Sequence, residues 1–481
     1  MIDTKALREK ILDLAMRGKL VPQDPNDEPA SELLKRIKAE KEELIKQKKI
    51  KRDKNETEIF KGDDGLHYEK FADGTVKEIE VPYEIPDGWV WARIASATKN
   101  IVAGGDKPNE VSTEKTNEFK FPIYSNGVKN NGLYGWAKEA KITEPSVTVS
   151  ARGTIGFTAI RHHPFVPIVR LISVTPLRDS VDVSFLKYML SHLIPTGEGT
   201  SIPQLTVPGI KPFLISLPPY HEQLRISESI ESYLQIIDEI DKGQVELKNL
   251  ADQLKQKVLD IAMQGKLVPQ DPNDEPASVL LDKIREEKQR LFEEGKLKKK
   301  DLVETEIVKG VDNAYYEKLP NGWDETNLGS VGLLISGRDL TSSEYTDTDG
   351  NGVPYITGAS SIIDGVVNTS RTTTSPQVIS KKSDILITIK GTVGTLAFNP
   401  YSEAHIARQI MAFRPYLINV YFLMNYFEAR IEDMRSRAKS MIPGVSRDVL
   451  LHLPLAVPPL NEQKRIVNVI EKISQQIYQI D

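Results

Sequence analysis

The sequence predicts an α+β protein in which two small mixed domains are separated by a long antiparallel two-helix coiled coil, with an internal pseudo-two-fold repeat. Three observations carry this prediction. A framework segment occurs twice, nearly identically. A heptad pattern of apolar residues runs through the middle of the chain and reappears in halves at its two ends. Between the framework segments lie two stretches patterned as short strands with glycine turns.

The repeat is the strongest signal. KILDLAMRGKLVPQDPNDEPASELLKRI begins at Lys10 and KVLDIAMQGKLVPQDPNDEPASVLLDKI at Lys257, with 22 of 28 positions identical. PPYHEQLRI from Pro218 returns as PPLNEQKRI from Pro458, and Ile202-Pro203 as Ile442-Pro443. VTVSARGTIG ending at Gly156 returns as ILITIKGTVG ending at Gly394, and Gly88-Trp89 as Gly322-Trp323. The order of these signals is the same in both halves, while the sequence between them diverges. One shape used twice, with two specificities, is the economical interpretation.

After Glu222-Gln223 the apolar residues Ile226, Ile230, Tyr233, Ile237, Ile240, Leu247, Leu250, Leu254, Val258 and Ile261 follow an a/d heptad broken once at Gln244. About 40 residues at 1.5 Å each span roughly 60 Å. Gly265 suits the helix C-terminus, and Gly243 inside it is expected to weaken the helix slightly. The C-terminus repeats the first half of the pattern (Ile466, Ile470, Ile473, Ile477, Ile480), and the N-terminus the second (Leu7, Ile11, Leu14, then Gly18). The two ends together rebuild one central helix, as in a circle cut open, and are expected to pack antiparallel against it. Pro29-Ala30-Ser31-Glu32 opens a further helix. The mixed charges from Lys35 to Lys54 suit a solvated helix face.

The inserts, about Trp89–Pro212 and Trp323–Leu450, alternate in short runs rich in Gly, Thr and Val. VTVSARGTIGFTAI and ILITIKGTVGTLAF are patterned as strand, tight turn, strand, with Gly153 and Gly391 at positions needing positive φ. Helices are expected around Ser184–Leu193 and Val420–Arg437. The organisation is therefore 1–60 N-terminal helical region, 85–215 first mixed domain, 218–300 central helical region, 318–455 second mixed domain, and 458–481 C-terminal helix.

Composition narrows the function classes. Cys is absent, which excludes disulfides and thiol chemistry and fits a cytoplasmic protein. There is no apolar run long enough for a membrane span and no export signal at Met1–Lys19. The net charge is −5, but the stretch from Lys99 to Thr200 holds 12 Lys and Arg against 9 Asp and Glu, so the acidity lies elsewhere. No GxxxxGK[ST] phosphate loop occurs, and seven His, including adjacent His162-His163, show no metal-ligand spacing. Leu217-Pro218-Pro219-Tyr220 resembles the proline-proline-aromatic motif of adenine amino-methyltransferases, yet Leu217 lacks the polar atom that holds the target amino group. It is expected to be a turn before a helix. No catalytic, metal or cofactor residues are assigned.

The polar turns of the inserts carry the side chains that recognise base edges. Arg and Lys fork onto guanine, Asn and Gln onto adenine, and Ser and Thr onto either. The first insert offers Ser125, Asn126, Lys129, Asn130, Asn131 and Arg152, and the second Thr357, Ser360, Arg371, Lys390, Arg408 and Gln409. Singly each suits a solvated loop; the duplicated cluster favours DNA.

These residues together resemble the specificity subunits of type I restriction-modification systems. The GKLVPQDPNDEPA segments (Gly18 to Ala30, Gly265 to Ala277), the PPxxEQ turns and the GT[IV]G turns look like that family's framework. The resemblance spans essentially the whole chain and is thin within the inserts. It implies two target-recognition domains, each reading one half of a split double-stranded DNA site. It further implies a methyltransferase subunit, usually two copies, docked on the framework, with restriction subunits joining. S-adenosylmethionine, ATP and Mg are then expected on those partners. Two rivals differ in class. A single-chain DNA adenine methyltransferase would bind methyl donor alone, and a coiled-coil scaffold presenting two protein-binding modules would show no salt-dependent DNA affinity.

Overall fold

The computed structural model describes residues 1–53, 56–194, 197–198, 204–302, 319–348, 350–431, 435 and 444–478. The dipeptides Ile202-Pro203 and Ile442-Pro443, the heptad position Ile480, Lys54 and the distal end of the helix expected at Val420–Arg437 lie outside them. The chain divides into two compact units, 2–244 and 245–481 with Met1. The division falls inside one continuous helix, Tyr220–Met263, 44 residues long.

In the first unit the N-terminal helix, Thr4–Met16, is opened by the Asp3 side chain accepting from the Ala6 amide. It closes on Gly18, whose φ of +65° lets Lys19 N–H reach the Leu14 carbonyl at 2.9 Å. This helix runs antiparallel to the central one. Arg8 pairs with Asp238 (2.7 Å) and Asp241 (2.8 Å) near its start, while the Met16 carbonyl near its end accepts from Ser216 Oγ at 2.6 Å. Ala15, Met16, Ile226 and Ile230 share a buried core. In the second unit Val258, Leu259, Ala262 and Met263 share a core with Ile466, Val467 and Ile470 of the C-terminal helix, Leu460–Tyr478.

The heptad is not covered along its whole length. Ile226, Ile230, Ile237 and Val258 are buried, but Tyr233, Leu247, Leu250 and Leu254 are exposed. The buried positions cluster toward the two ends of the helix, where the N-terminal and C-terminal helices share its core.

The helices following the repeated segment, Ala30–Lys46 and Ala277–Glu293, have the expected charged faces, with one exception in each. Lys41 is buried and donates to the Ala95 carbonyl (2.8 Å) and Glu56 (2.6 Å). Lys288, its repeat, is buried and points to the Gly329 carbonyl at 3.3 Å.

Each insert builds the same sheet. In the first the antiparallel order is Thr98–Ala103, Leu171–Pro176, Ser146–Ser150, Thr158–Arg161. In the second it is Gly332–Ser336, Ile410–Pro415, Ile385–Thr388, Leu396–Phe398. Beside each lies a second sheet containing one parallel pair, three-stranded in the first insert and four-stranded in the second, Ile123 with Val166 and Tyr355 with His405. A helix follows the last long strand, Val183–Leu193 capped by Asp182 and Val420–Ala429 capped by Asn419. Pro218-Pro219 and Pro458-Pro459 stand immediately before long helices, as expected of turns. The first unit also carries a three-stranded antiparallel sheet of Glu58–Lys61, His67–Lys70 and Val76–Ile79. It is tied down by Glu69, which accepts from Arg93 at 2.7 and 2.9 Å. Among the described residues no helix is long and apolar enough to cross a membrane.

Candidate nucleic-acid interface

In the first insert the six candidate residues converge on two neighbouring turns. The strand Phe121–Tyr124 ends at Ser125, whose amide donates to the Gly132 carbonyl at 2.9 Å and closes an eight-residue loop. Lys129, Asn130 and Asn131 form the outer turn of that loop and are exposed. Asn130 and Asn131 both take left-handed backbone, φ +51°, a region that Asn tolerates better than most residues. The second turn is Arg152-Gly153, between strands, with Gly153 at φ +81° as the sequence predicts. Asn126 joins the two turns: its Nδ2 donates to the Arg152 carbonyl at 2.8 Å. Arg152 is exposed, and beside it Ser150 Oγ and Thr154 Oγ1 are buried without a hydrogen-bond partner. The result is a cationic, amide-rich edge at the end of a sheet.

The second insert places its candidates more widely. Thr357 Oγ1 lies 3.2 Å from Ser361 Oγ, and Ser360 sits in the same short turn. The Gln409 carbonyl accepts from the Ile389 amide at 2.9 Å, which puts Gln409 beside Lys390. The Gln409 side chain lies over Gly358, where a Cβ would stand 2.6 Å from its Oε1. Gly391 has φ +71°. Thr357, Ser360, Lys390 and Gln409 thus form one neighbourhood. Arg371 and Arg408 are engaged by acids, Asp347 at 2.7 Å and Asp339 at 2.7 Å. These pairs are largely solvent-exposed, and exposed pairs hold by only about 0–1 kcal/mol. Exchange of a carboxylate for a phosphate is therefore inexpensive.

The repeated framework residues, which gave no hint of acting together in the sequence, meet in one junction per unit. In the first, buried Glu222 accepts from Trp89 Nε1 (3.0 Å) and Gln23 Nε2 (3.2 Å). Gln23 also donates to the Gly18 carbonyl at 2.7 Å. Gly18 is packed so closely that a Cβ would stand 2.3 Å from Pro86 Cγ. Gln223 Oε1 accepts from the Asp182 amide at 2.9 Å, and Arg225 pairs with Asp27 at 2.6 Å. Every one of these contacts returns in the second unit. Glu462 accepts from Trp323 (3.0 Å) and Gln270 (3.1 Å), Gln270 donates to Gly265 (2.7 Å), Gln463 accepts from Asn419 (2.9 Å), and Arg465 pairs with Asp274 (2.6 Å). Burial holds both carboxyls above the ordinary carboxylate range, outweighing the donated hydrogen bonds. The junction fastens each sheet module to its helix, so that the module's turns have a fixed base.

A family model described as the type I restriction modification DNA specificity domain matches residues 95–249 and 320–480. The chain is 29% identical over 559 residues to the type I restriction enzyme EcoAI specificity subunit of Escherichia coli, covering 98% of this chain and 89% of that one. It is 29% identical over 558 residues to the EcoEI specificity subunit of the same species, covering 97% and 88%. A chain solved in a study of complex assembly and conformational transition of a type I R-M system has the same fold. Its TM-score is 0.58 at 19% identity, covering 83% of this chain and 93% of that one.

Proposed function

The chain belongs to the type I restriction-modification DNA specificity family, and we propose on that footing that it is the DNA-reading subunit of such a complex. It recognises a bipartite site through its two modules and targets methyltransferase and restriction subunits to it. The observation that carries this reading is the duplication: two copies of one sheet scaffold, on matching junctions, end in turns of different sequence. An enzyme needs one constellation of reacting groups, whereas a split site needs two readers of one shape and different side chains.

Mechanistically, Lys and Arg at the turns neutralise phosphates and set register, while amide and hydroxyl side chains meet base edges. The chain itself carries out no bond chemistry in this reading. S-adenosylmethionine, ATP and Mg belong to the partner subunits, and the methylated adenine is extruded into the partner's pocket at a cost of about a few kcal/mol.

The test is modification-sensitive sequencing of cells carrying the cognate methyltransferase subunit with and without this chain. A split motif methylated only when the chain is present is the expected result. No new methylation, with both subunits soluble, overturns the assignment.

A further inference from the structure

Arg161 ends the strand Thr158–Arg161 and is only 5% exposed. Its Nη2 donates to the Asn131 carbonyl at 2.7 Å and its Nε to Thr148 Oγ1 at 3.0 Å. Its guanidinium carbon stands 3.6 Å from the centre of the Tyr124 ring. Among the described residues no carboxylate pairs with it. A buried cation without a counter-charge is a costly core element, since an apolar side chain of similar volume packs there without desolvating a charge. Its presence calls for a role other than filling the core.

The contacts indicate that role. Tyr124 precedes the loop that closes between Ser125 and Gly132, and Asn131 is the second of the two consecutive left-handed residues in it. Arg161 therefore grips the loop from below at both its entry and its turn. The grip is private to the first module. The corresponding residue of the second is Asn399, whose Nδ2 donates to Ser380 Oγ at 3.0 Å. That places Asn399 in a network away from the turn Ala359–Ser361.

We propose that Arg161 is a positioning residue for base reading by the first module, holding the Lys129–Gly132 turn in the shape that presents Lys129, Asn130 and Asn131 to one half of the site. This rests on the DNA-reading function proposed above.

The test maps the methylated motif in cells with the cognate methyltransferase subunit and full-length wild type, R161M or R161K. R161M keeps the volume and removes both the charge and the donors. Methylation at sites mismatched in one half is expected to rise roughly tenfold, the discrimination of one lost base contact, with the other half unchanged. R161K keeps a donor for Asn131 and a cation over Tyr124, and is expected to retain the wild-type motif. An unaltered motif with R161M overturns the proposal. So does loss of soluble R161M, because Arg161 is then a core residue. A wild-type chain that yields no split motif instead overturns the DNA-reading assignment itself.

Discussion

The indole N–H of Trp89 donates to Glu222 at 3.0 Å, joining the start of the first module to the start of the central helix across 133 positions of sequence. Neither side chain meets bulk water, Glu222 being 1% exposed. Loss of the donor leaves a buried carboxylate oxygen unsatisfied, at a cost of about 1–3 kcal/mol. Trp89→Phe is expected to destabilise by that amount in urea unfolding, and Trp323→Phe by less, because Gln270 still donates to the same Glu462 oxygen. A near-neutral result for Trp89→Phe means that the bond is not holding the junction.

The two junctions differ in one detail, which yields a sharper prediction. At Glu222 the two donors go to different oxygens, Gln23 to Oε1 and Trp89 to Oε2. At Glu462 both go to Oε1, and Oε2 is buried without a partner. An amide in place of Glu222 must set its NH2 against a donor, whereas at Glu462 it can keep its oxygen toward both. Glu222→Gln is expected to cost more than Glu462→Gln, by about 1 kcal/mol or more. Equal costs argue that the oxygens exchange roles freely.

Acidity separates this junction from the sheet anchor. The Glu222 carboxyl is raised by burial, so its protonated form favours the fold. Its contribution is greatest below the unfolded value, about 4.3, and is lost as pH rises through the higher folded value. The Glu69 carboxyl is lowered by the hydrogen bonds from Arg93, so its contribution is present above about 4.3 and is lost as pH falls through the lower folded value. The melting-temperature gap between wild type and Glu69→Gln is expected to shrink on acidification. For Glu222→Gln the variant gains on wild type as pH rises from about 4 to 7. Parallel trends for the two variants contradict this assignment of causes.

Much of this was legible in the sequence, because the signals were local or repeated. The duplicated segments, the glycine turns at Gly153 and Gly391 and the helices after Pro219 and Pro459 follow from patterns within a few residues of one another. That the first insert's candidates lie together was legible too, since Ser125–Asn131 is contiguous. The long-range partnerships were not. Nothing local says that Gln23, Trp89 and Glu222 share one buried site, or that Arg161 reaches Asn131, because those contacts depend on which strands pair. The heptad overstated the coverage of Leu247, Leu250 and Leu254, since periodicity marks an apolar stripe without saying what lies over it.

Gly243 is the opposite of Gly18. It sits inside the 44-residue helix with ordinary backbone, and a Cβ there meets nothing within 4 Å. Gly243→Ala is expected to raise stability by up to about 1 kcal/mol through helix propensity alone. Gly18→Ala faces both φ +65° and Pro86 Cγ at 2.3 Å, and is expected to lose more than that. Thermal melts of the two single variants check the pair, and a Gly243→Ala variant that melts lower refutes the reading of an unencumbered helix.

On the proposed reading, the turns of the first module separate into a residue that fixes position and residues that choose sequence. Lys129 is exposed at the outer turn and has no ion pair among the described residues. A cation so placed meets a phosphate, and the counterion it releases steepens the salt dependence of binding. Lys129→Ala is expected to weaken binding of matched and mismatched DNA by the same factor, and to lower the slope of log K against log salt by about 1. Asn131→Ala keeps the backbone carbonyl that Arg161 holds while removing the amide proposed to read a base. It is expected to erode discrimination at one position of one half-site, leaving the salt slope unchanged. Binding isotherms at three salt concentrations, on DNA matched and singly mismatched in each half, distinguish the two effects. A salt slope that falls for Asn131→Ala, or a lost base preference for Lys129→Ala, reverses the assignment of roles.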